Sequence, residues 1–201
     1  DEALACIRRQ SFEAFEVLLV DDGSTDDSAQ LCSRVCEEDG RFRLLRQKNA
    51  GPAAARLTGI RAAGGQYFAF MDADDRLAPE HLARLAAGAK AGHELCCTGW
   101  QSFTDRPPED VPEAEAPGWL AGPAHLDRLL HDQAIGWGLW NKLYSRRRVE
   151  AVEWPVGVRH NEDLWANWRL FAAADGLYFD PAPTYQYRLT EGSASRRTPT
   201  P

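Results

Sequence analysis

Three acidic clusters carry the side chains that could do chemistry. Asp21-Asp22 closes an apolar run in FEVLLVDDGSTDDS, Asp72, Asp74 and Asp75 close another in QYFAFMDADD, and Glu162-Asp163 lies in HNEDLWANWRLF. Carboxylates this crowded repel: two unit charges 4 Å apart cost about 1 kcal/mol in water and about 4 kcal/mol at an effective dielectric of 20. Such a cluster persists if it faces open water or if a cation joins it. A hard divalent ion, Mg2+ or Mn2+, takes oxygen ligands, keeps one or two carboxylates and completes its shell with substrate phosphates. Asp74, with Asp72 beside it, suits that role, and the ion would neutralise a diphosphate leaving group. Glu162 or Asp163 at a helix start can instead act as a general base, for roughly 10²–10⁴-fold in rate.

Each cluster also has a plainer reading. DDGSTDDS can be a capped helix start, DADD a solvated turn, and Glu162-Asp163 the acidic first turn of a helix whose dipole favours it. Other chemistries fail on spacing. A phosphatase-type D-x-D-x-T needs its acids two apart, but Asp21 and Asp22 are adjacent and Gly23 follows. An EF-hand loop counted from Asp72 would need glutamate where Ala83 stands. No G-x-G-x-x-G or P-loop is present, so any nucleotide phosphates must be held another way.

The elements that position these acids alternate. Leu4 and Ile7 are spaced for a helix, FEVLLV for a strand, and Ser24 or Thr25 could cap a helix carrying Leu31, Cys32, Val35 and Cys36 on one stripe. Phe42 to Arg46 reads as a strand, Pro52 to Ala63 as a helix stopped by Gly64-Gly65, and Gln66 to Met71 as a strand. A helix opened by Pro79 and a strand from Glu94 to Trp100 follow. Alternation of this kind predicts an α/β fold with a mostly parallel central sheet and helices on both faces. Ligands of such sheets bind beyond the strand carboxyl ends, where both Asp21-Asp22 and Asp72-Asp74-Asp75 stand. One site could hold both clusters, which leaves Asp75 a turn or cap role.

Residues 1–201 read as a single domain in two halves, 1–100 and 123–201, around an acidic, proline-rich loop over 101–122. The second half adds WGLWNKLYSRRR, an amphipathic helix from Glu162, and GLYFDPAPTYQYR as extended chain. Lys142 offers a cation to the site, while Arg146-Arg147-Arg148 reads as a solvated face or as a contact with an anionic membrane surface. A net charge of −7 argues against nucleic acid as partner. No apolar run approaches the roughly 20 residues of a membrane span, and none reads as a signal peptide. Five cysteines without a C-x-x-C pair suggest buried thiols in a reducing compartment, hence a cytoplasmic protein, with peripheral association at the inner membrane face open.

In order and content the segments FEVLLVDDGSTDDS, KNAGPAAARLTGIRAAGGQYFAFMDADDRLAPEHL, WNKLY, NEDLWANWRLF and YQYRLTEGSAS resemble the family 2 glycosyltransferases of the GT-A fold. The resemblance implies metal-dependent, inverting transfer of a sugar from a nucleotide sugar, with UDP as the expected carrier. The acceptor would be a hydroxyl of a glycan or lipid-linked glycan, in bacterial surface polysaccharide synthesis. It implies that Asp22 bonds the nucleobase with Asp21 beside it, and that Arg56 lies near the base or diphosphate. Asp72 would approach the ribose and Asp74 ligate Mg2+ or Mn2+. Asp163 would be the base, with Glu162 the second claimant. Trp140, Lys142 and His160 would line the acceptor side, and Tyr187-Arg188 would close over the diphosphate. A catalytically silent nucleotide-binding or scaffolding domain of the same fold stays open as an alternative, as does a metal-dependent phosphohydrolase. The donor sugar, the linkage and the oligomeric state are not legible.

One departure matters. The family pattern starts with a strand of the type V-S-V-I-I-P-V-Y-N, whereas this sequence starts at Asp1-Glu2-Ala3-Leu4, already within the first helix of the pattern. Two strands are therefore expected to lack a ladder partner, which leaves backbone groups unpaired and weakens the fold and its hold on nucleotide. Adding some ten upstream residues of the family type should raise Tm; an unchanged Tm would contradict this.

Overall fold

The computed structural model describes residues 2–131, 134–158 and 161–190. The chain runs α1 (Glu2–Arg8), β1 (Val17–Asp21), α2 (Ser28–Glu38), β2 (Phe42–Arg46), α3 (Pro52–Ala62), β3 (Tyr67–Ala69), β4 (Arg76–Leu77), α4 (His81–Lys90) and β5 (Leu95–Phe103). It continues with β6 (Gly118–Ala121), α5 (Ala124–His131), β7 (Lys142–Ser145), α6 (Arg146–Ala151), α7 (Glu162–Ala172) and β8 (Gly176–Arg188).

The α/β fold is as expected, but the strands are not mostly parallel. Ladders β1–β2 and β5–β8 are parallel, and β3–β7, β5–β7, β4–β8 and β6–β8 are antiparallel. The reason lies in the second half, where β7 enters against β5 and β3 after a short helix and loop rather than by a helical crossover. β1 and β2 form a sheet of their own, and the main sheet runs β3-β7-β5-β8-β4 with β6 on β8. Among the described residues β1 pairs only with β2, and β3 only with β7. The same holds of β2, β4 and β6, each of which also has a single partner strand there.

β5 is the spine of the main sheet. Leu95, Cys96, Cys97 and Thr98 are buried, as a strand flanked on both sides must be. At Gly99 a Cβ would lie 2.3 Å from the Pro181 carbonyl oxygen, so only glycine lets β8 come this close. The β5–β8 register shifts there, and the ladder resumes from Trp100↔Tyr185 to Phe103↔Arg188. This delivers the end of β8 to the acidic loop after β3. The principal core packs Leu95 and Tyr144 of the sheet against Leu129 of α5 and Leu170 and Phe171 of α7. A second cluster joins Cys6, Leu77 and Tyr185 with Trp100, Trp140 and Tyr187.

Smaller differences have local causes. α2 starts at Ser28 rather than beside Ser24, because the Ser24 amide donates to Asp21 Oδ1 at 2.8 Å and the chain turns until Asp27. Part of the expected loop over 101–122 is strand: β5 extends to Phe103, and β6 occupies Gly118–Ala121. No disulfide forms among the described residues. The three consecutive arginines are committed internally: Arg147 and Arg148 to Glu94, and Arg146 to Glu150 and the carbonyls of Ala63 and Gly65. No described helix is long and apolar enough to cross a membrane.

Candidate active site

Arg56 is the centre of the site. It stands on α3, a helix that Pro52 starts cleanly because its missing N–H costs nothing in a first turn. Its side chain is only 15% exposed and meets three carboxylates. One guanidinium nitrogen bonds Asp163 Oδ1 and lies 3.4 Å from Glu162 Oε1; the other lies 3.3 Å from Asp163 Oδ2 and 3.4 Å from Asp72 Oδ1. The fork geometry of arginine suits this bidentate hold on Asp163. Acids far apart in sequence thus meet at one cation, which answers the repulsion the sequence raised.

Asp163 occupies the first turn of α7, where the helix dipole favours an anion. Burial nevertheless pushes its carboxyl up to about 6, opposed by Arg56 and the Leu139 amide and reinforced by Asp72 and Glu162. A base with that pKa is ionised near neutrality yet holds a proton well, a favourable compromise for proton abstraction. His160 lies outside the described residues.

The acidic loop after β3 splits into three roles. Asp72 is on Arg56. Asp74 is exposed and makes no ion pair among the described residues. Asp75 is completely buried: its Oδ2 accepts from the Tyr185 hydroxyl at 2.5 Å and its Oδ1 from the Arg188 amide at 2.8 Å. The Tyr185 hydroxyl also accepts from the Asp72 amide at 3.4 Å. Burial drives the Asp75 carboxyl up to about 7. Asp75 is therefore a latch between the loop and β8, more than the turn or cap residue expected. Nothing in the sequence sets Asp75 apart from Asp74; its need for donors follows from the buried run Asp75–Ala78 that only the structure shows.

Three expected binding residues are occupied by the protein itself. Asp22 accepts from Gln47 Nε2 at 2.7 Å and from the amides of Ala50 and Gly51 at 2.9 and 2.8 Å, so it fastens the β2–α3 connection. Burial opposes its ionisation, but those three donors outweigh it and hold the carboxyl below its ordinary value. Asp21 pairs with Arg46 across the parallel ladder. Lys142 is wholly buried and does not reach the site as a cation. Its Nζ donates to the carbonyls of Ile135, Gly136 and Gly138 and to Asn141 Oδ1, at 2.8 to 3.1 Å. Burial lowers its pKa to about 8. The cause is topological: as the first residue of β7 it faces inward beneath the preceding loop.

Trp140 stacks on Tyr185 and Tyr187 with ring centroids 4.8 and 5.4 Å away. Arg188 lies over the Phe103 ring, donates Nε to the Asp74 carbonyl at 3.0 Å and pairs with Glu2 at 2.8 Å. Asn167, not singled out from sequence, is buried one helical turn after Asp163 and donates to the carbonyls of Trp137 and Gly138. A polar residue within the apolar stripe of α7 was its signal.

The family implies a divalent metal, and the donor set can be tested against it. The described residues hold no group of three or more His, Cys, Asp or Glu side chains able to bind one. Two neighbouring carboxylates, one of them uncommitted at Asp74, nonetheless match an ion whose remaining ligands come from phosphates. The residues fit such an ion as a partial site.

The family model for glycosyl transferase family 2 matches residues 1–160. The chain is 28% identical over 199 residues to the putative glycosyltransferase EpsH of Bacillus subtilis, covering 96% of this chain and 58% of that protein. It is 32% identical over 202 residues to the uncharacterized glycosyltransferase YibD of Escherichia coli, covering 93% and 56%. The chain thus spans a little over half the length of these curated relatives. The crystal structure of S. aureus TarS 1-349 in complex with UDP-GlcNAc superposes with a TM-score of 0.80 at 21% identity, over 98% of this chain and 57% of that one. The fold is the GT-A fold, and the chain belongs to glycosyl transferase family 2.

Proposed function

We propose that the chain carries the donor and catalytic-base sites of an inverting glycosyltransferase that moves a sugar from UDP to an acceptor hydroxyl in a surface glycan or lipid-linked glycan. The observation that carries this reading is the convergence on Arg56 of Asp72, from the donor half, with Glu162 and Asp163, from the head of α7. A donor and an acceptor meeting there would have a carboxylate on one side and a cation between them.

In this reading Asp163 takes the proton of the attacking hydroxyl. A carboxylate keeps lone pairs beyond those Arg56 engages, so the ion pair orients the base without blocking it. Arg56 then offers its remaining charge to the departing diphosphate. Asp74, with Asp72, would hold Mg2+ or Mn2+, which when bound supplies charge neutralisation at the phosphates. Asp22 and Asp75 act indirectly, Asp22 by fastening the connection into α3, which carries Arg56, and Asp75 by latching the loop that carries Asp72. TarS, with a similar fold, has been crystallised with UDP and with UDP-GlcNAc, which supports a uridine carrier.

Thermal shift tests the donor half. UDP with Mn2+ at about 100 times its Kd should stabilise by about 2.7 kcal/mol, a rise in Tm of roughly 5–10 °C for a domain of this size. Asp74→Ala should leave the unliganded Tm unchanged, since the side chain is exposed, and abolish the Mn2+-dependent part of the rise. Protection by UDP that ignores both Mn2+ and this substitution would exclude the metal role.

A further inference from the structure

The loop Ile135–Trp140 is built to hold one side chain outward. Gly136 has φ +68°, and a Cβ there would lie 3.3 Å from Trp100 Nε1 and from Trp140 Cη2. A Cβ on Gly138 would lie 2.0 Å from Trp140 Nε1, so both glycines let the backbone lie flat on that indole. From below, Lys142 Nζ takes the carbonyls of Ile135, Gly136 and Gly138. Asn167 Nδ2 takes those of Trp137 and Gly138. The loop also touches the base, through the Leu139 amide on Asp163. Between the two glycines stands Trp137, 60% exposed, the most exposed large hydrophobic side chain among the described residues. Trp119, at 44%, stacks on His93.

We propose that Trp137 is the stacking platform for a pyranose ring of the acceptor, a subsite two residues from the amide that touches Asp163. The inference rests on the transferase reading above. A flat indole presents a rigid apolar face with little entropy to lose, which suits the C–H face of a sugar whose hydroxyls remain in water. The backbone beneath it is pinned at five carbonyl contacts, so the platform is preorganised. Its side of the site is that of the base, because Asn167, which donates to the Trp137 carbonyl, stands one turn after Asp163 on α7.

The test uses this chain labelled with 5-fluorotryptophan, its Trp137 resonance assigned by Trp137→Phe and followed by 19F NMR. Methyl glucoside, galactoside, mannoside and N-acetylglucosaminide are the probes, with phosphatidylglycerol vesicles as a separate arm. At least one pyranoside should shift Trp137 in a saturable way and leave Trp168, the exposed indole on α7, unmoved. Trp137→Ala should keep the Tm rise with UDP. Silence at Trp137, an equal shift at Trp168, or a response to vesicles alone would overturn the platform. UDP protection in the same samples separates the failures: with protection intact only this inference falls, and without it the transferase reading falls too.

Discussion

Asp163→Asn is expected to lower sugar transfer by roughly 10²–10⁴-fold, the range a positioned general base contributes. Asparagine keeps the shape and one acceptor for Arg56 but cannot take a proton. Because the carboxyl sits at about 6, wild-type kcat/KM should be flat above neutrality and fall as pH drops through about 6, approaching tenfold per pH unit. The residual activity of the variant should lose that limb. Stability should move the other way. The native pKa lies above the ordinary 3.8, so the folded state binds this proton more tightly than the unfolded one. The stabilisation from that proton is complete below about 4 and is lost as pH rises through about 6. At pH 8 the neutral variant is therefore expected to be no less stable than the parent, with UDP protection retained. Tm and kcat/KM measured across pH on both proteins decide this; a lower Tm at pH 8 would mean that the Arg56 pair is chiefly structural.

Lys142→Met is expected to destabilise the fold. It strips the donor from the Gly136 carbonyl and Asn141 Oδ1, at about 1–3 kcal/mol each when left unsatisfied, while the carbonyls of Ile135 and Gly138 keep Asn141 and Asn167 as donors. Removing a buried charge whose pKa is driven down to about 8 offsets about 3 kcal/mol of that. The lost hydrogen bonds win by about 1 kcal/mol, and Tm should fall by roughly 2–4 °C. A direct diphosphate contact would instead leave Tm unchanged and cut UDP protection, so a melting curve with and without UDP separates the two roles.

The alternation of strand and helix was legible because hydrophobic period and helix punctuation are local: Pro52, Gly64-Gly65 and Pro79 mark their boundaries as expected. Strand direction was not, since nothing local in Lys142–Ser145 says that it runs against both β3 and β5. The acidic clusters were legible as chemistry; Arg56 as their common partner was not, since the resemblance put it near the nucleobase or diphosphate. Which acid is free and which is spent was not. Asp22 and Asp75 look like Asp74 in sequence, yet one is held by loop amides and the other by Tyr185 and Arg188. Lys142 shows the same limit: a lysine beside tryptophans suggests a site cation, whereas only the fold reveals the carbonyls that surround it.

The most direct measurement is release of UDP from a panel of UDP-sugars with Mn2+, comparing the parent chain with Asp163→Asn. The account predicts release from at least one UDP-sugar by the parent, and a rate at least about 100-fold lower in the variant, with both proteins protected by UDP. No release from any UDP-sugar, or equal release by the two proteins, would contradict it.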